Sequence, residues 1–321
     1  MTHELSSTTL ALLNILNDGQ RHAGTEIAKV LGVSRMAIWK VVQRLKAYNI
    51  EIKSEHLGYR LESPLFLLEK SKIQKYIFKD VTLDIFESLP STNDYLKNLP
   101  SAPPPHICLA EHQTNGRGRL GRSWTSPFGR NIYCSISYVF KKDISEMAGL
   151  SLVVGILTAK ALEIVDQQFK PSLKWPNDIY LEGKKAGGIL IDLIAEANGT
   201  CKAILGIGLN VNMKDILMRD VKNWICLEEM IGQKLDRNQV TGEIINSLFK
   251  GMEIFANRGL APFLSDWKRL DFLENKKITL TSGQEIHSGI AKGISPQGHL
   301  FLELPQGLKQ FSYGDTSLFK D

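Results

Sequence analysis

The sequence predicts an α+β chain of several domains, and three observations carry that expectation. Its 321 residues exceed the ~100–200 of one ordinary domain, and 43% of them are hydrophobic, enough for a sizeable core. The hydrophobic pattern also changes along the chain: short helices come first, then strands mixed with helices, then short strands broken by turns roughly every ten residues. Tight Glu182-Gly183 and Asn198-Gly199 turns link the middle strands as hairpins, which makes the sheet mixed or antiparallel rather than doubly wound.

Leu10, Leu13 and Leu16 mark a first helix ending near Gly19. Ile27, Ala28 and Leu31 share one face of a second, from Thr25 to Leu31. Only Gly32-Val33-Ser34 separates it from a third, Arg35 to Ala47, with Ser34 as N-cap and Ile38, Val41, Val42 and Leu45 as its core face. A short connection containing glycine is what a helix-turn-helix needs. Ile50 to Ile52, a polar turn from Lys53 to His56, and Leu57 to Leu61 add a hairpin, the wing. From Lys29 to Lys46 the charges are Lys29, Arg35, Lys40, Arg44 and Lys46 with no acid, an electrostatic footprint for phosphates. Residues 1–63 are therefore expected to be a winged helix-turn-helix. If it binds DNA, Ser34, Arg35, Met36 and Trp39 or Lys40 enter the major groove and Arg44 lies nearer the backbone. One such helix reads few base pairs, so specificity calls for a dimer on a two-fold operator. The alternative is a packing or partner-binding domain with a solvated basic face.

After Glu62-Ser63-Pro64 the pattern lengthens, placing a boundary near residues 63 to 66. Strands are expected at Ile107 to Ala110, Ile132 to Val139, Ser172 to Trp175, Ile179 to Leu181, Gly188 to Ile194 and Lys202 to Leu209. The main helices are expected at Glu146 to Gln168 and Asn238 to Asn257, giving an α/β body over residues 66–270. Pro103-Pro104-Pro105 reads as a surface loop. Turns at Ser282-Gly283, Gly293, Gln297-Gly298 and Gln306-Gly307 predict a small closed β-barrel over residues 271–321.

A formal charge of +5 from 39 basic and 34 acidic residues is mild, so anion binding must come from local clusters. Cys108, Cys134, Cys201 and Cys226 are far apart, form no metal spacing, and read as reduced, buried thiols. The N-terminus lacks a basic region before an apolar stretch, and Ser151, Gly155 and Thr158 interrupt the longest apolar run. A cytoplasmic protein with no membrane span is expected.

The densest signal is Gln113 to Asn131, with four Arg and four Gly around Trp124 and no acid. Gly116, Gly118 and Gly121 satisfy the dinucleotide pattern GxGxxG, but a Rossmann turn must open an apolar helix, and Arg117, Arg119 and Arg122 fill the spacers here. What remains is a glycine-freed backbone whose N–H groups and guanidinium forks can surround a phosphate or carboxylate.

Lys174-Trp175-Pro176-Asn177-Asp178 follows at a strand end, and Lys185-Ala186-Gly187-Gly188-Ile189-Leu190 begins the next strand. Together with Ser91-Thr92-Asn93 and Gly206-Ile207-Gly208-Leu209-Asn210, these segments closely resemble the biotin protein ligase family. With the winged helix added, essentially the whole chain resembles the bacterial bifunctional biotin ligases that also repress biotin genes. The resemblance implies a class II synthetase-like central fold and an SH3-like C-terminal barrel. It also implies condensation of biotin with ATP, aided by Mg²⁺, to biotinyl-5′-adenylate, and transfer to a lysine of the biotin carboxyl carrier protein of acetyl-CoA carboxylase. The adenylate would double as corepressor, driving a homodimer that places two winged helices on operator DNA. Carrier and second protomer would compete for one surface.

Residue by residue, the resemblance makes Arg117, Arg119, Lys185 and Asp178 the catalytic set. The three cations overcome repulsion between biotin's carboxylate and the α-phosphate, and Asp178 either binds Mg²⁺ or takes the proton of the acceptor lysine. Ser91, Thr92, Asn93 and Gln113 would hold biotin's polar head, Ser91 serving also as a helix N-cap. Trp124 would wall the bicyclic ring and Gly118 would admit its close approach. Asn177, Asn210 and Trp224 would contact the nucleotide, with core packing as the alternative for Trp224. Two departures stand out: Leu120 fills a spacer that is often basic, which bears on dimer strength, and Phe319 stands where Arg is expected, which bears on a C-terminal ATP contact. A ligand-sensing regulator without turnover and a lipoate-type ligase are the competing readings. The intact Lys185, Arg117, Arg119 and Asp178 argue against the first, and the arginine loop and winged helix against the second.

Overall fold

The structure is a computed structural model that describes residues 3–4, 6–55, 58–100, 104–196, 199–213 and 223–318. His56, Leu57, Pro103, Asn198 and Phe319 lie outside the described residues.

After a two-residue strand β1 (His3–Glu4) come α1 (Ser7–Leu16), α2 (Gly24–Leu31) and α3 (Arg35–Ala47), then the hairpin β2 (Ile52–Glu55) and β3 (Gly58–Leu61). Ser6 and Ser34 cap α1 and α3, accepting from the N–H of Thr9 and Ala37, while Gly32, at φ 64°, ends α2. Leu12, Leu16, Ile27, Ile38, Val42 and Leu45 form a separate core closed by Ile52 and Leu61. The N-terminal domain is not fully detached, because β1 pairs with the edge of the central sheet.

The central sheet collects β4 (Thr82–Ser88), β5 (His106–Ala110), β6 (Ile132–Phe140), β7 (Ser172–Lys174), β8 (Asp178–Leu181), β9 (Lys184–Glu196) and β10 (Thr200–Leu209). Their order is β1-β4-β5-β6-β10-β9-β8-β7, mixed because β4 and β5 run parallel. Helix α4 (Lys70–Gln74) packs beside β4, and α5 (Thr92–Lys97) fills one face against β5, β6 and β10. The other face is covered by α6 (Leu150–Val165), which packs along a long helix, Arg237–Arg258.

The expected helix from Glu146 starts instead at Leu150. Gly149, at φ 81°, separates it from a 3-10 turn at Ile144–Met147. The stretch Ile144–Val165 is long and apolar enough to cross a membrane, yet it is 61% buried inside the fold, the signature of a core helix. Strand β4 was not anticipated because Asp84 and Glu87 interrupt its apolar pattern. Both find partners from elsewhere, Asp84 in Tyr95 and His106, and Glu87 in Arg44.

Short α7 (Leu227–Ile231), the long helix α8 (Arg237–Arg258) and α9 (Leu264–Leu270) lead to the C-terminal sheet. This sheet comprises β11 (Lys277–Ser282), β12 (Glu285–Ile294), β13 (Leu300–Leu304), β14 (Gly307–Phe311) and β15 (Asp315–Leu318), all antiparallel in the order β14-β13-β12-β11-β15. Its apolar layer, Ile278, Leu280, Ala291, Leu300 and Leu302, is continuous with the core of the central domain. The four cysteines are buried free thiols, and burial pushes Cys134 and Cys226 up to about 12.

A buried ion pair anchors the first residues of the central domain. Arg237 and Glu111 meet at 2.5 Å with both side chains at 0% exposure. Arg237 also donates to the carbonyls of Phe66 and Asn131, and Glu111 accepts from the Leu68 N–H. Every partner is internal, so a charge pair in the core is tolerated.

Candidate active site and nucleic-acid interface

The segment 113–131 folds back on itself as it leaves β5. Arg117 bridges to Ser123, the Gly118 N–H donates to the Arg122 carbonyl at 2.7 Å, and the Trp124 N–H donates to the Gly116 carbonyl at 2.8 Å. Leu120 at φ 53° and Gly121 at φ 71° form the tip, with Leu120 76% exposed. Trp124 then lies across a gap that two glycines create. Gly188 and Gly208 are direct partners on β9 and β10, and a Cβ on Gly208 would sit 2.7 Å from Trp124 Cε2. The indole Nε1 is buried and without a hydrogen-bond partner among the described residues. A buried donor on a cleft wall with no internal partner can be met by a ligand's acceptor.

Opposite Trp124, the β8–β9 hairpin delivers Lys185, whose Nζ lies 5.6 Å from the indole centroid and 2.6 Å from Asp178 Oδ1. The other oxygen of Asp178 faces Lys174 at 3.6 Å. Burial pushes the Lys174 ammonium below its ordinary range, Asp178 opposes the shift, and Lys185 adds to it.

The arginines are paired in the same manner. Arg117 pairs with Asp94 at the first turn of α5, while Arg119 and Arg122 both reach Asp315 at the start of β15. Arg119 further donates to Asn177 Oδ1 and to the Gly314 carbonyl, and Thr316 Oγ1 donates to the Trp175 carbonyl at 2.7 Å. The C-terminal sheet therefore forms one wall of the cleft.

A polar end closes the cleft. Gln113 Oε1 accepts from the N–H and hydroxyl of Thr92, its Nε2 donates to Ser126 Oγ, and Ser135 donates to Thr92 and Asn93. Ser91 caps α5, accepting from Asp94 N–H. Asn93 bridges to Asp192 and the Leu190 carbonyl, packed so tightly that a Cβ on Gly206 would strike it. Asn177 and Asn210 spend their amide groups on the carbonyls of Ile189 and Ile225. Trp224 is half-buried on the cleft wall beside Lys185 rather than in the core. The structure gathers Ser91, Thr92, Asn93, Gln113, Arg117, Gly118, Arg119, Trp124, Asn177, Asp178, Lys185, Asn210 and Trp224, from elements far apart in sequence, into one cleft.

Sequence reasoning missed Lys174, Asp94 and Asp315 as members of the site. The spacing of Lys174 and Asp178 across a strand end was a usable signal. Nothing local marks Asp315, which reaches the arginines only because β15 folds onto the cleft.

In the winged helix, Arg35, Met36, Trp39 and Lys40 are exposed on α3, and Ser34 is its cap. Arg44 differs from them. Its guanidinium reaches Glu87 Oε1 on β4 at 2.8 Å and donates to Thr9 Oγ1 at 2.7 Å, so it ties the recognition helix to the central domain. Beside it Tyr48 stacks on Phe128 at 4.8 Å and tilts against His112 at 5.0 Å, one residue from Gln113.

Comparison with known proteins places the chain among protein ligases. A biotin/lipoate A/B protein ligase family model matches residues 85–211, a helix-turn-helix (HTH) domain model residues 8–60, and a biotin protein ligase C-terminal domain model residues 275–318. The bifunctional ligase/repressor BirA of Salmonella typhimurium is 35% identical over 98% of both chains, and that of Bacillus subtilis is 30% identical over 92% of this chain and 93% of its own. A solved biotin protein ligase from Aquifex aeolicus in complex with biotin and ATP superposes with a TM-score of 0.65 at 28% identity, over 75% of this chain and 99% of that one. The chain belongs to the biotin/lipoate protein ligase family, in its branch of bifunctional ligase/repressors.

Proposed function

We propose that this cleft joins biotin to ATP and passes the biotinyl group to a carrier lysine. The observation that carries the reading is the convergence of Arg117, Arg119, Arg122, Lys174 and Lys185 beside an indole laid over two facing glycines. Biotin's bicyclic ring lies against Trp124, and its ureido head meets Ser91, Thr92, Asn93 and Gln113, where donors and acceptors cluster. A biotin carboxylate oxygen attacks the α-phosphorus of ATP and pyrophosphate leaves. Lys185, Arg117 and Arg119 offset the repulsion between the two anions and hold them in line. The carrier amine then attacks the acyl carbon, AMP departs with the bonding pair, and the amine gives up its proton. Asn177, Asn210 and Trp224 flank the nucleotide.

Among the described residues no three carboxylate, histidine or cysteine groups cluster as a metal site. That suits Mg²⁺, which commonly uses one or two carboxylates and completes its shell with water and substrate phosphates. Asp178 is the protein ligand offered; bound there, Mg²⁺ would neutralise phosphate charge. Asp178 also holds Lys185 in place, and taking the acceptor amine's proton is the alternative to its metal role.

The winged helix represses biotin genes when the adenylate orders the arginine loop and drives a homodimer onto operator DNA. The test is to incubate the chain with biotin, ATP, Mg²⁺ and a biotin-free carrier domain and read the carrier's intact mass. A gain of one biotinyl group, lost in Lys185→Ala, supports the reading. Equal transfer of lipoate in competition would redirect it to a lipoate-type ligase, and no transfer beside an active control would leave a ligand-sensing repressor.

A further inference from the structure

The free face of α3 carries more apolar surface than phosphate binding needs. Met36 is 60% and Trp39 48% exposed, while Ile38, Val42 and Leu45 on the opposite face are buried. Residues three apart on a helix are neighbours, so the two side chains share one patch, flanked by Arg35 and Lys40. The patch lies in the first half of α3, the part of a recognition helix that meets base edges. Arg44, tied to Glu87 and Thr9, holds the other side of the helix against the central domain and leaves this face outward.

Phosphates and sugars offer such side chains little. On the floor of the major groove the apolar group is the C5-methyl of thymine. We propose that Met36 and Trp39 read thymine methyl groups, so that each operator half-site presents two thymines to α3 while Arg35 and Lys40 hold the flanking phosphates. The side chains stand ~5–6 Å apart at Cβ, so the thymines fall within one or two base-pair steps of ~3.4 Å each. This inference rests on the DNA-binding reading above.

The test starts from duplexes selected out of a random library by the full chain with biotin, ATP and Mg²⁺. Each thymine of the selected duplex is then replaced by uracil, which removes only the methyl. Two positions per half-site should each lose about fourfold in affinity, the value of one buried carbon group. Met36→Ala should erase the loss at one position and Trp39→Ala at the other, with unfolding midpoints unchanged. Met36→Leu, which keeps an apolar tip, should retain the discrimination. Equal affinity for thymine and uracil duplexes, in a chain that still prefers the selected duplex to a scrambled one, would overturn methyl readout and leave DNA binding standing. If no duplex is preferred to the scrambled one, the DNA-binding reading fails and methyl readout fails with it.

Discussion

The Arg237–Glu111 pair and the charge pairs of the cleft use the same chemistry for opposite ends. Arg237 and Glu111 are wholly buried and satisfied by backbone groups of residues 66, 68 and 131, so neither can leave without stranding the other. In the cleft, Arg117, Arg119, Arg122 and Lys185 are each 26% exposed or more and are matched by Asp94, Asp315 and Asp178. Water and an incoming anion can reach those pairs, so they can be exchanged rather than broken. Burial, more than the identity of the partners, separates a structural ion pair from a working one.

The largest effect that would break this comparison lies in the core. Arg237→Ala leaves Glu111 buried without a counter-ion and should cost about 3–5 kcal/mol in urea unfolding. A loss below ~1 kcal/mol would put the pair in the surface class. Next comes Lys185→Ala, expected to slow pyrophosphate release on adenylation by roughly 10²–10³-fold, about 2.7–4 kcal/mol, with little change in the unfolding midpoint. A parallel collapse of stability would mean that the cleft pairs are structural too.

Asp271 sharpens the contrast from a third side, since it is half-buried with Trp267 Nε1 and the Leu273 N–H as its partners and its carboxyl is raised to about 6 by burial. Because its folded value lies above the ordinary 3.8, its contribution to stability is complete below that value and is lost as pH rises through about 6. Asp271→Asn should therefore raise stability near neutral pH by on the order of 1–2 kcal/mol and change nothing at low pH. A shift that does not vary with pH would contradict this assignment. The smallest effect belongs to Asp315→Asn. Freed of a competing carboxylate, Arg119 and Arg122 should lower the KM for ATP by roughly two- to fivefold at low salt, and the difference should close as salt screens the site. An unchanged KM would mark the Asp315 pairs as fixed.

Much of the site was legible because its residues sit in compact motifs. Arg117, Gly118, Arg119 and Trp124 share one loop, and Lys185 stands in one hairpin. Their partners were not legible. Asp94 and Asp315 are ordinary surface acids in sequence, and Arg44 reads as one more basic residue of a recognition helix until Glu87 is placed opposite it. Strand β4 was hidden for the same reason, its acids satisfied by residues brought from elsewhere.

The sequence by itself determined the three-part α+β architecture, the helix-turn-helix with its caps, the hairpin-linked sheet and the loop of arginines. These rest on periodicity, capping and turn chemistry, which act over a few residues. Tertiary structure alone decided which carboxylate neutralises which cation, that the C-terminal sheet walls the cleft, and that Trp124 lies over Gly188 and Gly208. Those contacts join residues distant in the chain, and their strength depends on burial and a few ångströms of separation, quantities that local sequence does not encode.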